Sequence, residues 1–136
     1  MEHIAIQNKK YTFSPINQLD IFCRCQLRKD PPYDRVSVGD LVYPLMDGNI
    51  ICVVDVSYVI SFEFSNIKDV IKLCKGTSLY GGNVFWEDMK DRRYATVIRI
   101  SNNRTLPKPI IPRARSYGHG WITLDTKEKK SNWLNL

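Results

Sequence analysis

Residues 40–60 read DLVYPLMDGNIICVVDVSYVI, and their punctuation decides the fold class. Asp47-Gly48 lies between two runs of strand-forming residues and can take both positive-φ positions of a tight type I′ turn. Asp40 to Met46 and Asn49 to Ile60 are therefore expected to pair as an antiparallel hairpin. In the second arm Ile50, Cys52, Val54, Val56, Tyr58 and Ile60 recur at every second position, while Asp55 and Ser57 fall on the opposite face. That is the period of a strand buried on one side. An arm of this length has to coil.

Working outward, Ser14-Pro15 offers a hydroxyl cap followed by proline at a first helical position, with Ile16 and Leu19 as the buried side of a short helix ending near Asp20. Ile21 to Leu27 alternates Ile, Cys, Cys, Leu with Phe, Arg, Gln, which predicts a strand with one apolar and one mixed face. Asp30-Pro31-Pro32-Tyr33-Asp34 breaks any ladder into a loop, because each proline lacks a donor and fixes its own φ. On the other side of the hairpin, Ser65 is the expected cap of a helix whose buried stripe is Ile67, Val70, Ile71 and Cys74, with Gly76 just past its end and Lys68 and Lys72 facing water. Tyr80-Gly81-Gly82 marks a turn, Asn83 to Lys90 a turn or two of helix, Tyr94 to Ile100 an apolar strand and Trp121 to Leu124 the last strand. The order implies an α+β, β-dominated domain, a small mixed pseudo-barrel with two or three short helices at its rim.

The chain has 136 residues, 43% hydrophobic and 25% charged, which suits one globular domain able to bury a core without disulfides or metals. Residues 1–124 are assigned to that domain and 125–136 to a charged, mobile C-terminal tail, in which Trp133 and Leu134 are candidates to dock back. The longest apolar run, Ile50 to Val54, is too short to span a bilayer, and the start Met1-Glu2-His3-Ile4 lacks the features of a secretory signal. A cytoplasmic home follows as the expectation, and with it free thiols. Cys23 and Cys25 lie on one face of a strand and present only half of a zinc pattern. Cys52 and Cys74 stand alone, so the cysteines are read as buried thiols with no metal and no cofactor.

Charge is distributed unevenly. Arg92 to Leu124 carries seven basic residues and no acid, whereas Asp40 to Asp91 carries four lysines against eight acids. Six of the seven are arginine, whose planar fork suits phosphate, although a solvated rim that merely keeps the domain soluble would look the same in sequence. Tyr94, Tyr117, His119 and Trp121 are interleaved with these charges and offer flat faces to a base; Tyr94 and Trp121 fall in predicted strands, where a core role competes. Leu106-Pro107-Lys108-Pro109-Ile110-Ile111-Pro112 cannot be an interior ladder strand. It is expected along an edge or across a barrel mouth, with carbonyls left free.

Val38-Gly39-Asp40-Leu41-Val42-Tyr43, the hairpin into Val53-Val54-Asp55-Val56, then Tyr94-Ala95-Thr96-Val97-Ile98-Arg99-Ile100 and Leu106-Pro107-Lys108-Pro109-Ile110 together resemble the PUA-like superfamily that includes the ASCH and EVE domains. The layout covers roughly residues 14–124, with Gly39, Asp40, Tyr43 and Pro109 at matching positions; the early tryptophan of the EVE pattern is missing. The resemblance implies a pseudo-barrel that binds RNA or a modified base.

The leading functional expectation is a nucleic-acid-binding module, for RNA ahead of DNA, in a basic cleft lined with aromatics. Its candidate residues are Arg28, Tyr43, Arg104, Lys108, Pro109, Arg113, Arg115, Tyr117, His119 and Trp121. Two other classes compete. One is a small ASCH-type hydrolase of modified nucleosides, with Glu63 or Glu87 as the carboxylate. The other is a non-catalytic interaction subunit that docks a partner along the proline-rich edge.

Overall fold

A computed structural model describes residues 1–116 and 120–136. The hairpin turns where the sequence places it: Asp47 and Gly48 have φ of 52° and 77°, joining β3 (Leu41–Met46) to β4 (Asn49–Glu63). Around this pair the chain builds a six-stranded mixed sheet in the order β2-β5-β4-β3-β1-β6. The other strands are β1 (Glu2–Ile6), β2 (Ile21–Gln26), β5 (Tyr94–Ile110) and β6 (Trp121–Thr123). β1 runs parallel to β3, and every other pairing is antiparallel.

The sheet curls into a half-barrel whose concave face holds Ala5, Phe22, Val36, Val42, Val54, Val56, Ile98 and Trp121. One flank of the convex face is covered by α1 (Ile67–Leu73) and α2 (Asn83–Met89), which bury Val70, Cys74, Phe85 and Trp86 against Cys23, Cys25, Ala95 and Val97. The other flank is covered by α3 (Lys127–Leu134), whose Trp133 and Leu134 pack on Ile4, Ile50 and Leu124. Strand alternation explains the split, since Phe22 faces inward while its neighbours Ile21 and Cys23 face the helices.

β4 does not keep one apolar face along its length. The ladder to β5 slips between Val56 and Tyr58, and this bulge inverts the parity of the strand. Val54 and Val56 point into the barrel, whereas Ile60 and Phe62 pack with the helices beyond the slip. A period-two reading from Ile50 to Ile60 misses it because an inserted residue leaves no hydropathy signal.

Several local expectations are corrected. Asn66, not Ser65, caps α1, its side chain accepting from the N–H of Lys68. The helix expected after Ser14 is a single 3-10 turn, Ile16–Gln18, without a side-chain cap. The segment expected to be mobile contains α3, capped by Thr126 and closed by Asn135 at a φ of 59°. The proline-bearing segment joins β5 as far as Ile110, which pairs with Ile50. There the five steps from Thr105 to Ile110 oppose the two from Cys52 to Ile50, so Pro107 and Pro109 sit in a bulge where their missing donors cost no ladder bond. β2 covers β5 only from Tyr94 to Arg99, and the rest of that side is unpaired in the sheet, as an edge. All four cysteines are buried free thiols. No described helix is long and apolar enough to cross a membrane.

Candidate nucleic-acid interface

β2 and β6 are the two ends of the sheet, so the barrel is open between them. Arg24 stands at this seam. It projects from the inward face of β2, and its guanidinium donates to the carbonyls of Ile6 at 3.2 Å and Cys23 at 3.3 Å. The carbon at its centre lies 5.9 Å from the Phe22 ring and 5.7 Å from the Trp121 ring, within reach of both π faces. Among the described residues no carboxylate bonds it. Burial lowers its pKa from the usual guanidinium value, yet an arginine stays charged at physiological pH. A half-buried cation held by neutral carbonyls and ring faces, with no acid beside it, can still accept further partners, which is the condition in which a ligand's acceptors are welcome.

Arg24 lines an inner cavity of about 220 Å³, walled by Phe13, Leu19, Phe22, Leu79, Phe85 and Met89 among others. A wider, more open cleft of about 980 Å³ lies on the far side of Gly120, which borders both. Arg35, Arg115, Ser116, Trp121 and Thr123 line the wider cleft, together with Asp30, Asp34, Asp125 and Lys129. Asp125 and Lys129 pair with each other at 2.9 Å and Asp125 also feels the charge of Arg35, so Arg35 and Arg115 face an opening that they share with Asp30 and Asp34.

The Trp121 wall is held from behind. Its indole N–H donates to His3 Nδ1 at 3.2 Å, and His3 Nε2 donates to the Asp40 carboxylate at 2.8 Å. Asp40 also accepts from the Ser37 N–H at 2.9 Å and lies 3.5 Å from the α-amine of Met1. Burial pulls the His3 pKa below its ordinary value even though Asp40 pushes the other way, so the imidazole is neutral with its proton on Nε2. For Asp40 burial acts upward, and the hydrogen bonds from His3 and Ser37 outweigh it, holding the carboxyl below the usual range. The Gly39-Asp40 pair thus has a physical role: Gly39 turns at a φ of 93°, and Asp40 orients the histidine that seats Trp121.

The expected basic cleft is only partly assembled. Arg115 is exposed at the mouth of the seam, and Trp121 lies in its wall, buried to 3% exposure. Arg28 is exposed in the loop after β2. Tyr43 belongs instead to the outer cluster beneath α3, and burial, with the charge of Glu2, raises its pKa. Arg104 forms a two-pronged ion pair with Asp55 at 3.0 and 3.1 Å. Arg113 donates to the Ser131 carbonyl at 2.8 Å, near the end of α3. Lys108 and Pro109 are exposed on the proline-bearing bulge of β5. Tyr117 and His119 lie outside the described residues.

Of the seven basic residues from Arg92 to Leu124, internal partners engage four. Arg93 pairs with Glu63, Arg99 donates to the carbonyls of Leu73 and Lys75 at the C-terminal end of α1, and Arg104 and Arg113 are tied as described. The asymmetry visible in sequence therefore overstates the free charge. Glu63 and Glu87 are paired with Arg93 and Lys90, and neither borders the cavities described above. Sequence reasoning missed Arg24, although a lone arginine inside the alternating apolar strand Ile21 to Leu27 was the available signal.

No family model and no curated protein matches the sequence. Among solved structures the chain is similar to an ASCH protein from Zymomonas mobilis, with a TM-score of 0.66 at 11% identity over 96% of this chain and 92% of that one. Two mutant forms of the same protein give TM-scores of 0.67 and 0.64, also at 11% identity. The chain shares the fold of that ASCH protein.

Proposed function

We propose that this PUA-like domain binds single-stranded nucleic acid, RNA ahead of DNA, along the seam between β2 and β6. The observation that carries the reading is Arg24, a cation without a carboxylate partner among the described residues, set over the packed rings of Phe22 and Trp121 beside an apolar cavity. A charge that lacks an acid beside an apolar cavity suits a single strand: the exposed Phe13 ring on the cavity wall can take a base face, and cations take phosphates or base edges. Arg115 and Arg35 at the wide mouth supply the phosphate contacts, and the resemblance to PUA-like domains favours RNA.

Two such cations set a modest electrostatic contribution. At about 0.7 of slope per phosphate for single strands, the logarithm of the binding constant should fall against the logarithm of salt with a slope of about −1.4. Replacing Arg115 by alanine should reduce that slope by about 0.7. Arg113→Ala should leave the slope unchanged, because Arg113 is engaged with α3. Titration of short RNA and DNA oligomers across a salt series tests this, and no binding by the wild-type chain at low salt would sink the reading.

A further inference from the structure

The inner cavity at Arg24 is chemically one-sided. The other polar side chains on its wall are engaged: Gln7 donates to the Ala5 carbonyl, Asn8 accepts from the Lys10 N–H, and Tyr11 donates to Asp88. Thr12 donates to the Asn8 carbonyl and Ser78 to Asp20. The guanidinium uses one N–H on each terminal nitrogen, for Cys23 and Ile6, which leaves further N–H groups without partners among the described residues. The cavity thus offers flat apolar walls and one charged fork of donors, beside the neutral amides of Gln7 and Asn8.

A phosphate does not suit those walls, because most of its oxygens would be stripped of water with nothing to replace it. A planar base does suit them, provided that the edge it turns to Arg24 carries two adjacent acceptors. Guanine O6 and N7 are such a pair and match the guanidinium fork. Adenine places its N6 amino donor where O6 would be, and a donor facing a donor leaves both buried and unpaired. At about 220 Å³ the cavity is smaller than the roughly 300–1,000 Å³ of sites for whole drug-sized ligands, so it takes the base and leaves sugar and phosphate toward Gly120 and Arg115.

We infer that the inner cavity reads guanine through its O6/N7 edge, with Arg24 as the specificity-determining residue; this rests on the nucleic-acid reading above. The test uses a short uridine oligomer carrying one central guanine, compared with inosine, 7-deazaguanine or adenine at that position. Guanosine 5′-monophosphate and adenosine 5′-monophosphate are titrated in parallel as free ligands. Inosine keeps O6 and N7 and should bind like guanine, whereas 7-deazaguanine and adenine should bind roughly 5- to 150-fold more weakly. Arg24→Lys keeps the charge and loses the fork, so it should level guanine with 7-deazaguanine while the salt slope stays the same. If that variant fails to fold, the analogue series on the wild-type chain decides alone. Oligomers that bind equally whichever base is central would overturn the guanine assignment and leave the nucleic-acid reading standing. A preference for the free guanine nucleotide with no oligomer binding would do the reverse, and no binding of either would remove both.

Discussion

Acidifying the protein from about pH 7.5 to about pH 5.5 should destabilise it through His3. The imidazole is fully buried and neutral, with Nδ1 filled by the Trp121 N–H and Nε2–H bonded to Asp40. A proton added at Nδ1 would face the Trp121 N–H, with only the Thr123 hydroxyl at 3.3 Å to accept it, and would place a cation near the α-amine of Met1. Since the folded-state pKa is depressed below the ordinary histidine value of 6.5, the unfolded chain binds the proton first, and stability falls as pH drops below 6.5. The loss is at most about 1.4 kcal/mol per pH unit, so the interval costs up to about 1.4 kcal/mol, or about 4–8 °C in Tm. Asp40 does not blur this window. Its folded pKa is depressed, so its contribution is present above the ordinary aspartate value of 3.8 and is lost only at more acid pH. The assay is chemical denaturation at both pH values in a His119→Gln background, which leaves His3 as the one histidine, beside the same protein with His3→Gln. The His3→Gln variant should be less stable at neutral pH and nearly flat across the interval. Equal pH slopes for the two proteins, or a wild type that gains stability on acidification, would refute the neutral, desolvated histidine.

Gly82→Ala should displace the Phe13 ring, because a Cβ there would lie 2.6 Å from Phe13 Cε2. A loss of about 1 kcal/mol is expected by denaturation, and Phe13→Ala should suppress most of it in a double-mutant cycle. Trp133→Ala should cost about 3–5 kcal/mol by the same assay, because a large buried ring leaves a cavity under α3. Arg104→Ala breaks a half-exposed, two-pronged ion pair and should lower Tm modestly while changing the salt slope of nucleic-acid binding very little, as calorimetry and titration would show.

The hairpin, the two flanking helices and the last strand were legible because each rests on local chemistry: a turn dipeptide, a 3.6-residue stripe, a run of β-branched residues. What escaped depends on residues far apart in sequence. The bulge at Ser57 flips the outer part of β4 toward the helices, and only the ladder to β5 reveals it. Tyr43 reads as a cleft aromatic until α3 is seen to cover it. The run of arginines suggested one basic face, but long side chains reach whichever carboxylate or helix end lies near, and Asp55, Glu63, Leu73 and Ser131 are 49, 30, 26 and 18 residues from their partners. Arg24 was visible only as one polar residue in an apolar strand, because its meaning comes from the missing neighbour on the open side of β2.

The pairing of β1 with β6 also has a kinetic side. His3 and Thr123 are 120 residues apart, so β1 closes against a strand that emerges long after it. β1 has no sequence-adjacent partner either, since its other neighbour, β3, runs parallel to it and is reached only after β2. As synthesis proceeds, the β3–β4 hairpin can form as soon as it emerges, and β5 can then add β2. The outer edge of β1 has nothing to bond until residues 121–123 arrive. Entropy of closing so long a loop slows that final step, and until it is complete the chain exposes an unpaired strand edge beside an unfilled barrel, the kind of surface on which chaperones act and aggregation begins.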